Sequence, residues 1–202
     1  MIERRSALAA HALLQAAGRA GVVSGAPARV FLAQLPPMAI LQVSAFAATA
    51  DEAALRLAGA LELALPEPNR YSGDSHKNLR ALGPGIWQAV GCETALPHAA
   101  VLRQALAGLG TVVNLGHARS GWQMGGTAAA RTLAKHCSLD LDARHFPTGS
   151  ATNTRFGPVN MTIARTSDAP IFELLVARGY GEFVFETLVN AAAEYGLEIT
   201  TS

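Results

Sequence analysis

Apolar and β-branched residues crowd Arg29 to Leu35 and again Met38 to Phe46, with the breaker Pro36-Pro37 between them. Both runs predict strands. Thr49-Ala50-Asp51-Glu52 predicts a capping box, in which the Thr hydroxyl and the Glu carboxylate satisfy orphan amides at a helix start. The following helix puts Ala54, Leu57, Ala58, Leu61 and Leu65 on one face and an i,i+4 pair, Glu52 and Arg56, on the other. Pro66 is expected to end it.

Further along, Asn69 to Lys77 is the most polar stretch and predicts a loop. Arg80 to Gly91 reads as a turn, Leu82-Gly83-Pro84-Gly85, feeding a strand. Pro97 suits a first helical position, and Leu102, Ala105, Leu106 and Leu109 share a face until Gly110. Thr111 to Ala118 predicts a strand, and Gly125 to Cys137 a helix with Ala130, Leu133, Ala134 and Cys137 inward. Asn153 to Arg165 and Ile171 to Arg178 predict a long hairpin turning at Ser167-Asp168-Ala169-Pro170. A last helix carries Val184, Phe185, Leu188, Ala192 and Tyr195 on one stripe and stops at Gly196.

Strand pairs under single helices are neither a doubly wound alternation nor an all-β pattern. The expected fold is α+β, built from tandem ferredoxin-like split βαβ units. Residues 1–28 read as an N-terminal arm. Residues 29–202 read as a single α+β domain, divisible into two packed halves, 29–110 and 111–202.

Composition sharpens the picture. Half of the 202 residues are hydrophobic and only 15% are charged, well below the usual quarter. A disordered chain, a collagen-like fibre and a coiled-coil rod are excluded. A net charge of +1 from scattered charges gives no footprint for nucleic acid. Alanine supplies 40 of the residues, and Lys77 and Lys135 are the only lysines, so compositional bias explains part of the deficit. The competing reading is too little charge for a self-sufficient soluble surface of this size. His11 and Gln15 interrupt the alanine-rich N-terminal stretch, unlike a secretory core, and no apolar run reaches membrane-spanning length. The expectation is a cytoplasmic protein with no membrane contact, its Cys92 and Cys137 reduced and buried.

Candidate chemistry is sparse. Gly83-Pro84-Gly85 lacks the third glycine and helix start of a dinucleotide fingerprint, and no phosphate loop, HExxH helix or GxSxG elbow occurs. His136, Cys137 and His145 form the nearest metal-like grouping, but their spacing matches no known site. Lys135 and His136 are better read as complements to a helix C-terminal dipole. Asp140 and Asp142, straddling Leu141, read as solvated caps. His117-Ala118-Arg119 puts polar groups at a strand end, where Arg119 could fork onto a carboxylate. A small enzyme built around His117 and Arg119 is one alternative; a strand-end salt bridge with a satisfied histidine is the plainer one.

Read together, seven segments resemble the gamma subunit of bacterial heterotetrameric sarcosine oxidase. They are Arg5-Ser6-Ala7-Leu8-Ala9, Leu82 to Trp87, His117-Ala118-Arg119, Gly125 through Leu141, Phe146-Pro147-Thr148-Gly149, Arg178-Gly179-Tyr180 and Ala191 to Gly196. They span nearly the whole chain in order. The chain departs from the family where Gly126 replaces a usual proline, where His136 replaces a usual glycine, and around Arg178-Gly179-Tyr180-Gly181. The resemblance implies a shortened relative of the folate-binding aminomethyltransferase fold. It also implies a non-catalytic subunit with no catalytic, cofactor-binding or metal-binding residues of its own. FAD, FMN, NAD and tetrahydrofolate would belong to partner subunits, with alpha, beta and delta chains completing a complex that demethylates sarcosine to glycine. A free-standing folate-binding protein of the same fold, or the equivalent subunit of a related N-methyl amino acid dehydrogenase, are the other readings.

Overall fold

The computed structural model describes residues 19–20 and 27–200. Most of the expected N-terminal arm lies outside the described residues, as does the Arg5 to Ala9 segment. The chain forms two compact units, and their boundaries interleave. One comprises residues 37–117 and Gly149–Thr152; the other contains the described residues up to Pro36, Ala118–Thr148 and those from Asn153 onward.

The unit formed by residues 37–117 and 149–152 contains strands β3 (Ala39–Ala45), β4 (Tyr71–Gly73), β5 (Lys77–Gly83), β6 (Ile86–Gly91) and β7 (Gly110–Asn114). It also holds helices α1 (Ala50–Leu61) and α2 (Ala99–Ala105). The sheet order is β4-β5-β6-β3-β7. Both β6 and β7 run antiparallel to β3, so they are parallel to one another with β3 between them. Joined through α2, they are a split βαβ unit. The cross-strand alternation sends Leu41, Val43, Leu79, Ala81, Trp87 and Ala89 to the face that packs with Leu57, Leu61, Leu102 and Leu106 of the helical segments.

Helix α1 begins where the pattern predicts, but not by a capping box. The Thr49 hydroxyl donates to the Leu109 carbonyl at 2.8 Å, and no side chain caps the helix. A tertiary acceptor competes successfully for that hydroxyl. The helix stops at Leu61, because Glu62 turns left-handed at φ 53° and its amide reaches back to Ala58 and Gly59. Leu65 therefore leaves the apolar stripe and is 45% exposed. The Glu52–Arg56 pair forms at 3.1 Å. The polar 69–77 stretch is not all loop: β4 pairs with β5, which makes Gly83-Pro84-Gly85 the turn of a β5–β6 hairpin.

The other unit has a seven-stranded sheet in the order β1-β12-β2-β8-β11-β10-β9. Its strands are β1 (Arg19–Ala20), β2 (Val30–Gln34), β8 (Arg119–Gly125), β9 (Ala151–Phe156), β10 (Val159–Ser167), β11 (Ile171–Ala177) and β12 (Leu197–Thr200). Helices α3 (Ala129–Ala134) and α4 (Gly181–Ala192) join it. β12 runs parallel to β2, while β2–β8, β8–β11 and β10–β11 are antiparallel. The stripe predicted on α4 is buried at Val184, Phe185, Leu188 and Ala192, in a core with Trp122, Phe156, Phe172 and Leu174. The predicted long hairpin is β10–β11, bulged between Arg165 and Ser167. The helix expected over Gly125 to Cys137 is only α3, and Ala134 lies exposed while Leu133 and Cys137 are buried. The element order thus delivers the expected α+β fold.

Candidate functional site

His117 and Arg119 lie on either side of the boundary between the units. The strand predicted over Thr111 to Ala118 ends at Asn114, whose side-chain oxygen accepts the Gly116 amide at 2.9 Å and turns the chain into a short 3-10 segment. His117, at the end of the first unit, is exposed. Arg119 opens β8 opposite Ala177 of β11. Burial lowers its guanidinium from its ordinary value, and its Nε has no hydrogen-bond partner. No strand-end salt bridge holds it among the described residues.

The metal-like grouping does not assemble. His136 tilts against the Phe156 ring at 5.2 Å, buried Cys137 lies 3.5 Å from the Thr154 hydroxyl, and His145 pairs with Asp140. Among the described residues no group of three or more His, Cys, Asp or Glu side chains could hold a metal ion. Lys135 does complement a helix end, but that of α4: its ammonium reaches the Ala191 carbonyl and Glu194 and lies 4.8 Å over the Tyr195 ring. The Lys135 contact lowers the Glu194 carboxyl from its ordinary value, with Tyr195 adding to it.

Asp140 and Asp142 act as local caps. Asp140 accepts the Asp142 amide at 3.0 Å, and Asp142 accepts the Arg144 amide and Nε, each at 2.9 Å. These Arg144 bonds, the side-chain one foremost, lower Asp142 to about 2. A folded-state pKa below the unfolded one stabilises above the ordinary aspartate range, and that contribution disappears as pH falls through about 2. Exposure to solvent keeps it small. A carboxyl-carbon NMR titration should therefore give Asp142 a midpoint near 2, moving up into the ordinary aspartate range in Arg144→Ala. An unchanged midpoint in that variant would remove the assigned cause.

Two features escape the sequence pattern. Arg165, 5% exposed, gives its guanidinium to three backbone carbonyls, those of Ser167, Phe146 and Asp168. Cys92 is exposed rather than buried, beside His76. The signal that could find this pair is the hairpin register: pairing Lys77 with Gly91 sets His76 opposite Cys92. On α1, an open groove of about 480 Å³ is lined by Glu52, Leu55, Arg56, Gly59, Ala60 and Ala105. No described helix is long and apolar enough to cross a membrane.

Two sheets with helix-linked crossovers define a mixed α+β architecture. In fold the chain is similar to the glycine cleavage system aminomethyltransferase T from Bartonella henselae, with a TM-score of 0.66 over 98% of this chain and 60% of that one. At 17% identity the likeness is one of fold alone. Residues 43–194 match the sarcosine oxidase, gamma subunit family, and the chain belongs to that family. It is also similar to a chain of the heterotetrameric sarcosine oxidase from Corynebacterium sp. U-96, solved in complex with pyrrole 2-carboxylate. That likeness has a TM-score of 0.81 and 27% identity, covering 95% of this chain and 96% of that one. Among curated proteins the sequence finds no match.

Proposed function

We propose that the chain is the structural, non-catalytic gamma subunit of a heterotetrameric sarcosine oxidase. Its alpha, beta and delta partners would hold FAD, FMN, NAD and tetrahydrofolate and convert sarcosine to glycine, passing the methyl-derived carbon to tetrahydrofolate. The observation that carries this reading is the likeness to the Corynebacterium sp. U-96 chain over 95% of this chain and 96% of that one. Several polar side chains singled out in the sequence or the structure have structural roles that agree with it. Arg165 clamps carbonyls, Lys135 caps a helix, and Asp140 and Asp142 cap turns.

Surface chemistry supports an assembly role as well. Leu55, Val101, Tyr180 and Phe183 are 73%, 58%, 54% and 44% exposed, and aromatic residues and arginine are the types that anchor protein interfaces. Arg119 is a half-buried cation whose Nε has no hydrogen-bond partner among the described residues, suited to an acid from a partner. Co-expression with the three partner chains should yield a complex that co-purifies through size exclusion. Arg119→Ala should weaken that complex about tenfold while leaving circular dichroism and turnover per assembled complex unchanged. Lost turnover in a fully assembled complex would instead put Arg119 at the chemistry, and a monodisperse chain that ignores its partners would overturn the reading.

The aminomethyltransferase-like fold favours one alternative, a free-standing folate-binding protein. Micromolar binding of tetrahydrofolate to the isolated chain, followed by calorimetry, would select it. The equivalent subunit of a related N-methyl amino acid dehydrogenase is separated from the main reading by the substrate that the purified complex turns over.

A further inference from the structure

At the open end of the β5–β6 hairpin, one residue past the Lys77–Gly91 pair, His76 and Cys92 face each other. The Cys92 amide donates to the His76 carbonyl at 3.0 Å, and the Cys92 Sγ lies 3.8 Å from His76 Nδ1. Both residues are exposed. The His76 backbone is held from the other side by Asp74, whose Oδ1 accepts the His76 amide at 2.8 Å and the Lys77 amide at 3.0 Å. Those two bonds, Lys77's the stronger, keep the Asp74 carboxyl below its ordinary value, so a negative charge sits next to the imidazole. The nearby cation is directed elsewhere: the Lys77 ammonium donates to the Leu61 carbonyl at 2.8 Å. Glu93, following Cys92, is the other charged neighbour.

We propose that Cys92 is a reactive thiol, with His76 as its proton acceptor, and that it is a site of reversible oxidation by peroxides. The thiolate is the nucleophile in such chemistry, and an adjacent imidazole that accepts the thiol proton raises its supply. The pair is solvent-accessible, as an attacking sulfur must be.

The reaction balances without a cofactor. His76 takes the Cys92 proton, and the thiolate sulfur attacks one peroxide oxygen. The S–O bond forms, the O–O bond breaks, and the second oxygen leaves with the imidazolium proton; with hydrogen peroxide the leaving product is water. Sulfur loses two electrons and the peroxide gains them, leaving a sulfenic acid. Cys137 cannot resolve it, being 4% exposed and engaged with Thr154. Return to the thiol therefore requires an external thiol, which condenses with the sulfenic acid, releases water and is displaced by a second thiol.

The test uses the full chain, with Cys137 as internal control. Treatment with hydrogen peroxide in the presence of dimedone, then peptide mass spectrometry, should place the adduct on Cys92 and none on Cys137. Alkylation of native Cys92 by iodoacetamide near neutral pH should run about fivefold faster than in an unstructured peptide of the same local sequence. His76→Ala should remove that advantage. A wild-type rate and pH profile matching the free peptide would overturn the proposal, as would a His76→Ala rate equal to wild type. If the substitution also exposed Cys137, the wild-type comparison with the peptide would decide alone.

Discussion

Replacing Arg165 by alanine should cost about 4 kcal/mol of unfolding free energy, read as a lowered urea midpoint for the full chain. The guanidinium sits on β10 opposite Phe172 of β11, 5.9 Å from the centre of that ring. Its Nε reaches Ser167 O at 3.2 Å, Nη1 reaches Phe146 O at 3.2 Å, and Nη2 reaches Asp168 O at 3.0 Å. Two of those carbonyls belong to the bulged β10–β11 turn and the third to the segment after Asp142. Alanine leaves all three without their donor: the buried Phe146 carbonyl costs about 1–3 kcal/mol, the half-buried turn carbonyls lose less because water can reach them, and the packing of the side chain is lost as well. Lysine should restore less than half, since an ammonium cannot span three diverging acceptors as a planar fork does. A loss under about 1 kcal/mol for alanine would show that the clamp contributes little.

Gly126→Ala is expected to cost about 3 kcal/mol. Gly126 follows β8 with φ 108°, a backbone conformation that L side chains rarely adopt. A Cβ there would fall 2.3 Å from the Arg29 carbonyl oxygen. That oxygen already accepts the Ala128 amide at 3.1 Å, and the Arg29 amide bonds back to the Tyr195 and Gly196 carbonyls. A methyl group therefore pushes β2 away from both the start of α3 and the end of α4. Gly108→Ala is the control: φ is 77° but nothing lies within 4 Å of its Cβ, so only backbone strain of about 1 kcal/mol applies. Equal costs at the two positions would refute the steric account. A proline, whose ring fixes φ near −65°, could not follow this path.

The parts of the fold that show in the sequence are those whose burial follows a single period. Val184, Phe185, Leu188 and Ala192 recur at helical spacing and all reach the core, as do Leu57 and Leu61. Strand β8 is hidden because Ser120, Gly121 and Gly125 look like breakers. It is nevertheless central, hydrogen-bonded to β2 and β11, and its small residues are buried between those neighbours. β12 is hidden by brevity, four residues after a stopping glycine. The functional pairings are harder still to read. His76 and Cys92 are 16 residues apart and meet only through a register that the polar 69–77 stretch disguises. Arg165 looks like an ordinary strand arginine until the turn after it closes around its side chain. The family itself was legible, because ordered short segments across the chain carry it even where no single motif is diagnostic.

The interleaving of the two units has a temporal side. β2 finds β8 only after residues 37–117 have been made, and its other neighbour, β12, is among the last described residues. The unit within 37–117 pairs mostly with itself, so its sheet can form while the ribosome is still at work on the rest. At about 5–20 residues per second, several seconds separate the emergence of that unit from that of β12. During that interval β2 presents an unpaired edge, a natural landing place for a chaperone or for another chain. A chain whose seven-stranded sheet gains β12 last has a physical reason to be made alongside other chains.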